Sequence, residues 1–353
     1  MDTGIKIYNL AKQLWGVNRS ITGEGVRQTL DIISEHIPKL KVHSVKTGTK
    51  VFDWTVPKEW HVNEAYIITP SGDHICDFKQ NNLHLVGYST PFNKTIPLSE
   101  LQNHLYSLPE QPDAIPYITS YYKERWGFCI SEIDRDKLED GDYQVVIDTK
   151  LFDGVLNYGE LIIEGDSKEE VFLSSYVCHP SMANNELSGP TVLTFLAKWL
   201  TDLERRKYSY RIILIPETIG SITYLSQHYG KMKENVVAGF NVSCVGDDRA
   251  YSFLPSRNGN SISDKVAVHV LKWLAPNYIN YTWADRASDE RQYCAPGIDL
   301  PIASIMRSKY GQYPEYHTSL DNLIDVVTPK GLEGGYLALK YALELIEKNE
   351  KLK

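Results

Sequence analysis

Two histidines and several carboxylates fall in four short polar clusters, each just beyond an apolar run that reads as a β-strand. Cys178-His179-Pro180-Ser181-Met182-Ala183-Asn184-Asn185-Glu186-Leu187-Ser188-Gly189 follows the run 171–176, and Pro216-Glu217-Thr218 follows 211–215. Gly246-Asp247-Asp248-Arg249 follows 237–245, and Tyr313-Pro314-Glu315-Tyr316-His317-Thr318-Ser319-Leu320-Asp321-Asn322 lies beyond 302–306. Open α/β sheets carry their sites at the C-terminal ends of their strands. Imidazole nitrogen together with carboxylate oxygen suits a borderline cation such as Zn²⁺, which polarises a scissile carbonyl and acidifies nearby water. A carboxylate within reach would act as general base and hand the proton to a leaving amine.

Each candidate has a plain alternative. Eight of the ten histidines sit in texture that suggests surface or core filling, whereas His179 and His317 stand out by their neighbours. Glu217 follows a proline at a strand end, where a carboxylate is also favoured by the dipole of a following helix. Asp247 and Asp248 in Gly-Asp-Asp also make good turn chemistry. Cys178 beside His179 could be a nucleophile and base, but adjacent residues on a strand point to opposite sides, which argues against the pair meeting.

The elements that would position these residues can be read from periodicity. Val26, Leu30, Ile33 and Ile37 share one helical face that ends at Pro38. Residues 46–149 change to short β-rich runs such as 65–68 and 83–86, punctuated by prolines, and form a candidate inserted β-rich domain. From Gly159 the pattern alternates strand-like and helical runs, with strands over 160–163, 171–176, 211–215, 237–245 and 302–306, and helices over 190–200 and 264–274. A last helix places Leu332, Tyr336, Leu339, Leu343 and Ile346 on one face after Pro329. The expected fold class is α/β with a largely parallel sheet, made from residues 1–45 and 150–353 around the insertion.

With 37 Lys and Arg against 45 Asp and Glu, the net charge is −8, and no dense basic cluster is present. Nucleic acid and anionic membranes are therefore not expected partners. The N-terminal residues lack a basic region followed by an apolar core, no window is long and apolar enough to span a bilayer, and a cytoplasmic location is expected. Five widely spaced cysteines without a CxxC pair read as reduced thiols. The insertion is rich in aromatic residues, among them Trp54, Trp60, Tyr117, Tyr121, Tyr122 and Trp126. They could form its own core, cover a site, stack on a sugar or make a homo-oligomer interface, and the sequence leaves these open.

The order His179, Asn185-Glu186-Leu187-Ser188-Gly189, Glu217, Asp247, His317-Thr318 resembles the zinc aminopeptidase clan, the co-catalytic dizinc exopeptidases. Trp54-Thr55-Val56-Pro57-Lys58-Glu59-Trp60, the 178–189 phrase, Ser288-Asp289-Glu290-Arg291-Gln292-Tyr293 and Glu315-Tyr316-His317-Thr318-Ser319 are similar to aminopeptidase-like proteins with an inserted small domain that accompany polysaccharide biosynthesis. The resemblance implies a three-layer aminopeptidase/phosphorylase-like fold with a central, mostly parallel mixed sheet. It also leads to the expectation that the C-terminal winged helix of other members is absent. Position by position, His179 and His317 match ligands, while Asn185 stands where a bridging Asp would be and Ser243 where a ligand Asp would be. Glu217 is flanked by Pro216 and Thr218 instead of belonging to a Glu-Glu pair. Asp247 or Asp248 is the nearest substitute for that ligand Asp, so the bridge and one acid of the pair, two negative charges, are missing, which favours one Zn²⁺ over two. The resulting expectation is a metal-dependent amide hydrolase acting on a peptide or a sugar-related small molecule. His179, Glu186, Asp247 and His317 would be ligands and Glu217 the general base, with Asn185, Asp289, Glu290, Arg291 and Tyr316 at the substrate. The competing expectation is a catalytically reduced binding or assembly protein on the same fold.

Overall fold

The computed structural model describes residues 2–349. Its main sheet is built from β1 (Lys41–Lys46), β2 (Val155–Ile163), β3 (Glu170–Tyr176), β4 (Ser209–Ile215), β5 (Val236–Asn241), β6 (Ser252–Leu254), β7 (Ile279–Asn280) and β8 (Ile302–Met306). The spatial order is β1-β2-β4-β3-β5-β8-β6-β7. The central strands β4, β3, β5 and β8 run parallel, and antiparallel pairings of β1 with β2, β2 with β4, and β6 with β8 extend them on both sides. Strands buried on both faces read as continuous apolar runs, and all seven residues of β3 are buried.

Period-two alternation sends these runs into two cores. Val171 and Leu173 of β3, with Ile212 and Leu214 of β4, face a layer of α1 (Asp2–Leu14), α2 (Glu24–His36), α3 (Ser188–Asp202), α5 (Ile262–Leu274) and α6 (Pro329–Lys348). Phe172, Tyr176, Ile213 and Ile215 face the other way, toward α4 (Ile219–Asn235) and the insertion. The insertion has its own antiparallel sheet of His74–Ile75, Glu59–Ile68, Asp142–Phe152 and Phe92–Pro97, in that order. Among the described residues, no helix is long and apolar enough to cross a membrane, and all five cysteines are free and buried.

Two local readings change. Residues 83–86 do not form a strand: the Asn81 side chain accepts from the Leu83 amide and starts a 3₁₀ turn over Asn82–His84, a local side-chain bond that competes with pairing. Helix α4, absent from the periodic reading, has mixed faces because its buried residues, Met232 apart, are Ile219–Leu225 in its first two turns.

The helix that leaves the first polar cluster needs a close approach between strands. A Cβ on Gly189 would lie 2.4 Å from Ser175 Oγ and 2.5 Å from the Val242 carbonyl oxygen. Gly189→Ala is therefore expected to destabilise the fold by about 1–3 kcal/mol through overpacking, read as a lower urea midpoint at unchanged m-value. An unchanged midpoint would contradict this packing.

Candidate metal centre

The loops after β3, β4, β5 and β8 meet at one edge of the sheet, as the parallel topology requires. Each carries a non-glycine residue in the left-handed region: Ser181 at φ 27°, Thr218 at 63°, Cys244 at 51° and His317 at 59°. Backbone held this way at one sheet edge marks a place where surrounding contacts over-determine the chain.

His179 is buried, and its two ring nitrogens face different carboxylates. Nδ1 lies 3.0 Å from Glu186 Oε2, whereas Nε2 lies 3.6 Å from Glu217 Oε2. The rings of His179 and His317 are 5.6 Å apart, and Tyr117 of the insertion packs against both, at 5.1 and 5.2 Å. Tyr316 stacks on His317 at 3.9 Å. The insertion reaches the site through a short bridge: the Tyr117 amide donates to the His317 carbonyl at 2.8 Å, and Pro116 pairs with Thr318. Cys178, His179, Glu217 and His317 thereby line a cavity of about 300 Å³ together with Trp54, Tyr121 and Tyr122.

Glu217 is held from outside its own strand. Ser288 Oγ donates to its Oε1 at 2.6 Å. The adjacent Thr218 is fixed by Asp289, whose Oδ1 accepts from the Thr218 amide at 2.7 Å and from Ser221 Oγ at 2.9 Å. Glu290 closes its own loop by accepting from the amides of Ala287 and Ser288, from Tyr310 and from Asn241. Asp289 and Glu290 are thus buried supports of Glu217, not lining residues of the cavity, and Arg291 is exposed outside it.

Asp247 is not brought to His179. Its oxygens accept from the Ser308 amide at 2.8 Å, Ser308 Oγ at 2.9 Å, Asn184 Nδ2 at 3.0 Å and the Arg249 amide at 2.9 Å, which uses its acceptor sites to tie three loops together. Asp248 is exposed. Asp321, quoted in the sequence but given no role there, accepts from the amides of Asn184 and Asn185 at 2.7 and 2.9 Å and from Tyr313. It anchors the wide turn Ala183–Leu187 that carries Asn185 and Glu186. Among the described residues, Cys178, His179 and Glu186 form the group of three ligand-type atoms within 4.8 Å of one another. Cys178 and His179 do meet, at 3.5 Å, because they lie beyond the last strand residue Tyr176, where alternation no longer applies. Burial pushes the Cys178 thiol well above its usual range, so it is no thiolate nucleophile.

Burial, with the Arg19 charge adding to it, pushes His179 down to about 3, and burial does the same to His317. Both imidazoles are therefore neutral, the form in which a histidine binds a metal. Burial raises Asp321 to about 6 and raises Glu186 as well, with the neighbouring Arg19 charge opposing the rise at Glu186.

A family model described as a domain of unknown function (DUF4910) matches residues 8–349. A Clostridium acetobutylicum protein named for polysaccharide biosynthesis and an aminopeptidase-like domain is 48% identical over 348 residues, 99% of this chain and 79% of that protein. A crystal structure from the same organism, titled as a peptidase, superposes with a TM-score of 0.96 at 47% identity, covering 99% of this chain and 82% of that one. The zinc aminopeptidase of Bacillus subtilis shares the fold at a TM-score of 0.71 and 14% identity, covering 99% and 96%. The chain therefore belongs to the DUF4910 family, and it has the mixed α/β fold that the zinc aminopeptidase shares.

Proposed function

We propose that this chain is a metal-dependent amide hydrolase that cleaves an aminoacyl or acylamino group from a peptide or a sugar-related small molecule. The carrying observation is the convergence of His179 Nε2, Glu217 Oε2 and the His317 ring on one cavity wall. The fold of the zinc aminopeptidases and the aminopeptidase-like name of the Clostridium relative support it.

His179 and His317 would hold a zinc ion, which when bound would polarise the carbonyl of the amide. Glu217 would take a proton from water at Oε2 and deliver it to the leaving nitrogen. Ser288 keeps the Glu217 side chain in one rotamer by occupying Oε1, and burial raises its proton affinity. Trp54, Tyr117, Tyr121 and Tyr122 also line the cavity and would offer flat surfaces to a ring or planar amide. Such an enzyme would work in the cytoplasm without nucleic acid or membrane partners, in keeping with its acidic charge.

The donor set fits one divalent cation better than two. At the position of the bridging Asp in the dizinc pattern stands Asn185, whose Nδ2 is buried without a hydrogen-bond partner, and at the position of a ligand Asp stands Ser243, whose Oγ is equally unpartnered. Neutral groups do not offset a second dication. Glu186 reads as the carboxylate that orients His179, since it faces the nitrogen turned away from Glu217.

Those same replacements favour a second reading, a binding protein on the fold that has lost turnover. The deciding experiment is elemental analysis of untagged protein and of His179→Ala and His317→Ala, followed by screening of aminoacyl amides and N-acyl amino sugars. About one zinc per chain, lost in both variants, with hydrolysis of at least one class supports the enzyme. A chain that cannot be loaded with zinc sinks that reading and leaves the binding protein.

A further inference from the structure

Arg19 lies in the connection 15–23 between α1 and α2, where nothing in the sequence pattern marks it, and only 1% of its surface is exposed. Its guanidinium reaches the strand-end loop that carries His179. Nη1 donates to the Leu14 carbonyl at 2.8 Å and Nε to the His179 carbonyl at 2.9 Å, and the same Nε stands 3.4 Å from Glu186 Oε1. Arg19 Nη2 and Glu186 Oε1 have no hydrogen-bond partner. A guanidinium does not shed its charge, and a buried charge needs a counter-ion. Glu186 supplies it, and its other oxygen faces His179 Nδ1 at 3.0 Å.

We propose that Arg19 is a positioning residue for His179, acting through Glu186. Its charge keeps Glu186 a hydrogen-bond acceptor, so His179 carries its proton on Nδ1 and turns a bare Nε2 toward Glu217 and the cavity. Its bond to the His179 carbonyl fixes the backbone of the same residue, so ring and main chain are held by one side chain. Arg19 does not line the cavity and touches no substrate there. The proposal rests on the metal-site reading only for the identity of what Nε2 binds.

The test is long-range ¹H–¹⁵N correlation of histidine-labelled, metal-free protein, with His179 assigned by its loss in His179→Gln, together with zinc affinity from chelator competition. Wild type is expected to show the Nδ1–H tautomer at His179. Arg19→Met is expected to give a tautomer mixture and roughly 10- to 100-fold weaker zinc binding, the range for loss of a supporting partner of a ligand. Should Arg19→Met fail to fold with Glu186 left unpaired, the double variant Arg19→Met/Glu186→Met removes both charges and is expected to show the same two losses. A wild-type Nε2–H tautomer, or a folded variant that keeps the wild-type tautomer ratio and zinc affinity, would overturn the proposal. If wild type takes up no zinc, the metal-site reading falls, while the tautomer of His179 still decides the role of Arg19.

Discussion

Glu217→Gln is expected to lower kcat by about 10²- to 10⁴-fold on any amide that the wild type hydrolyses, the usual contribution of a positioned general base. The substitution keeps volume and shape, and the glutamine carbonyl oxygen can still accept from Ser288 Oγ, which sits 2.6 Å from the native Oε1. What disappears is the ability to hold a proton, because an amide oxygen is a far weaker base than a carboxylate. Burial raises that ability in the native residue, with Asp289 and other neighbouring carboxylates adding to it and Ser288 opposing it. The loss should appear in kcat with little change in KM, since substrate contacts are untouched, and zinc content and melting temperature should match wild type. A variant of an active enzyme that turns over within a few-fold of wild type would remove Glu217 from the role of base.

Much of this arrangement is legible in the sequence because it follows from local pattern plus topology. Apolar runs such as 171–176 and 211–215 announce parallel strands, and parallel strands send the polar residues that follow them to one edge, which is why the sequence pattern brings His179 and Glu217 together. His317 was accessible through its aromatic and polar neighbours, although it arrives on a long loop after β8. The residues that hold these groups in place were not legible, because their roles are set by contacts between positions far apart in the chain. Ser288 meets Glu217 across 71 positions, Asp321 meets Asn184 across 137, and Arg19 meets His179 across 160. The same cause misplaces Asp289 and Glu290: in sequence they look like free charges in a loop, whereas the fold buries both among amides and hydroxyls. Asp247 is the sharpest case, since a Gly-Asp-Asp turn after a strand suits a ligand and a loop clamp equally well, and only contacts with Ser308 and Asn184, 61 and 63 positions away, distinguish them.

His317 and Asp247 therefore give opposite expected results, and together they form the second large effect. Zinc at a thousandfold excess over its dissociation constant should stabilise the wild-type fold by about 4 kcal/mol, seen as a rise of several degrees in melting temperature. His317→Ala should abolish that rise while changing the metal-free fold modestly, because the ring is neutral and, among the described residues, its contacts are ring packing on Tyr316, Tyr117 and His179. Asp247→Ala should do the reverse. Its carboxylate accepts four hydrogen bonds from Ser308, Asn184 and Arg249 while fully buried, and leaving those donors empty should cost about 3 kcal/mol or more. The zinc-dependent increment should nonetheless survive in Asp247→Ala, since the side chain lies outside the cavity that His179 and His317 share. Melting curves of the three proteins with and without zinc separate the cases. A zinc increment lost in Asp247→Ala and kept in His317→Ala would move the metal away from the two-histidine wall and toward the Asn184–Asp247 loops.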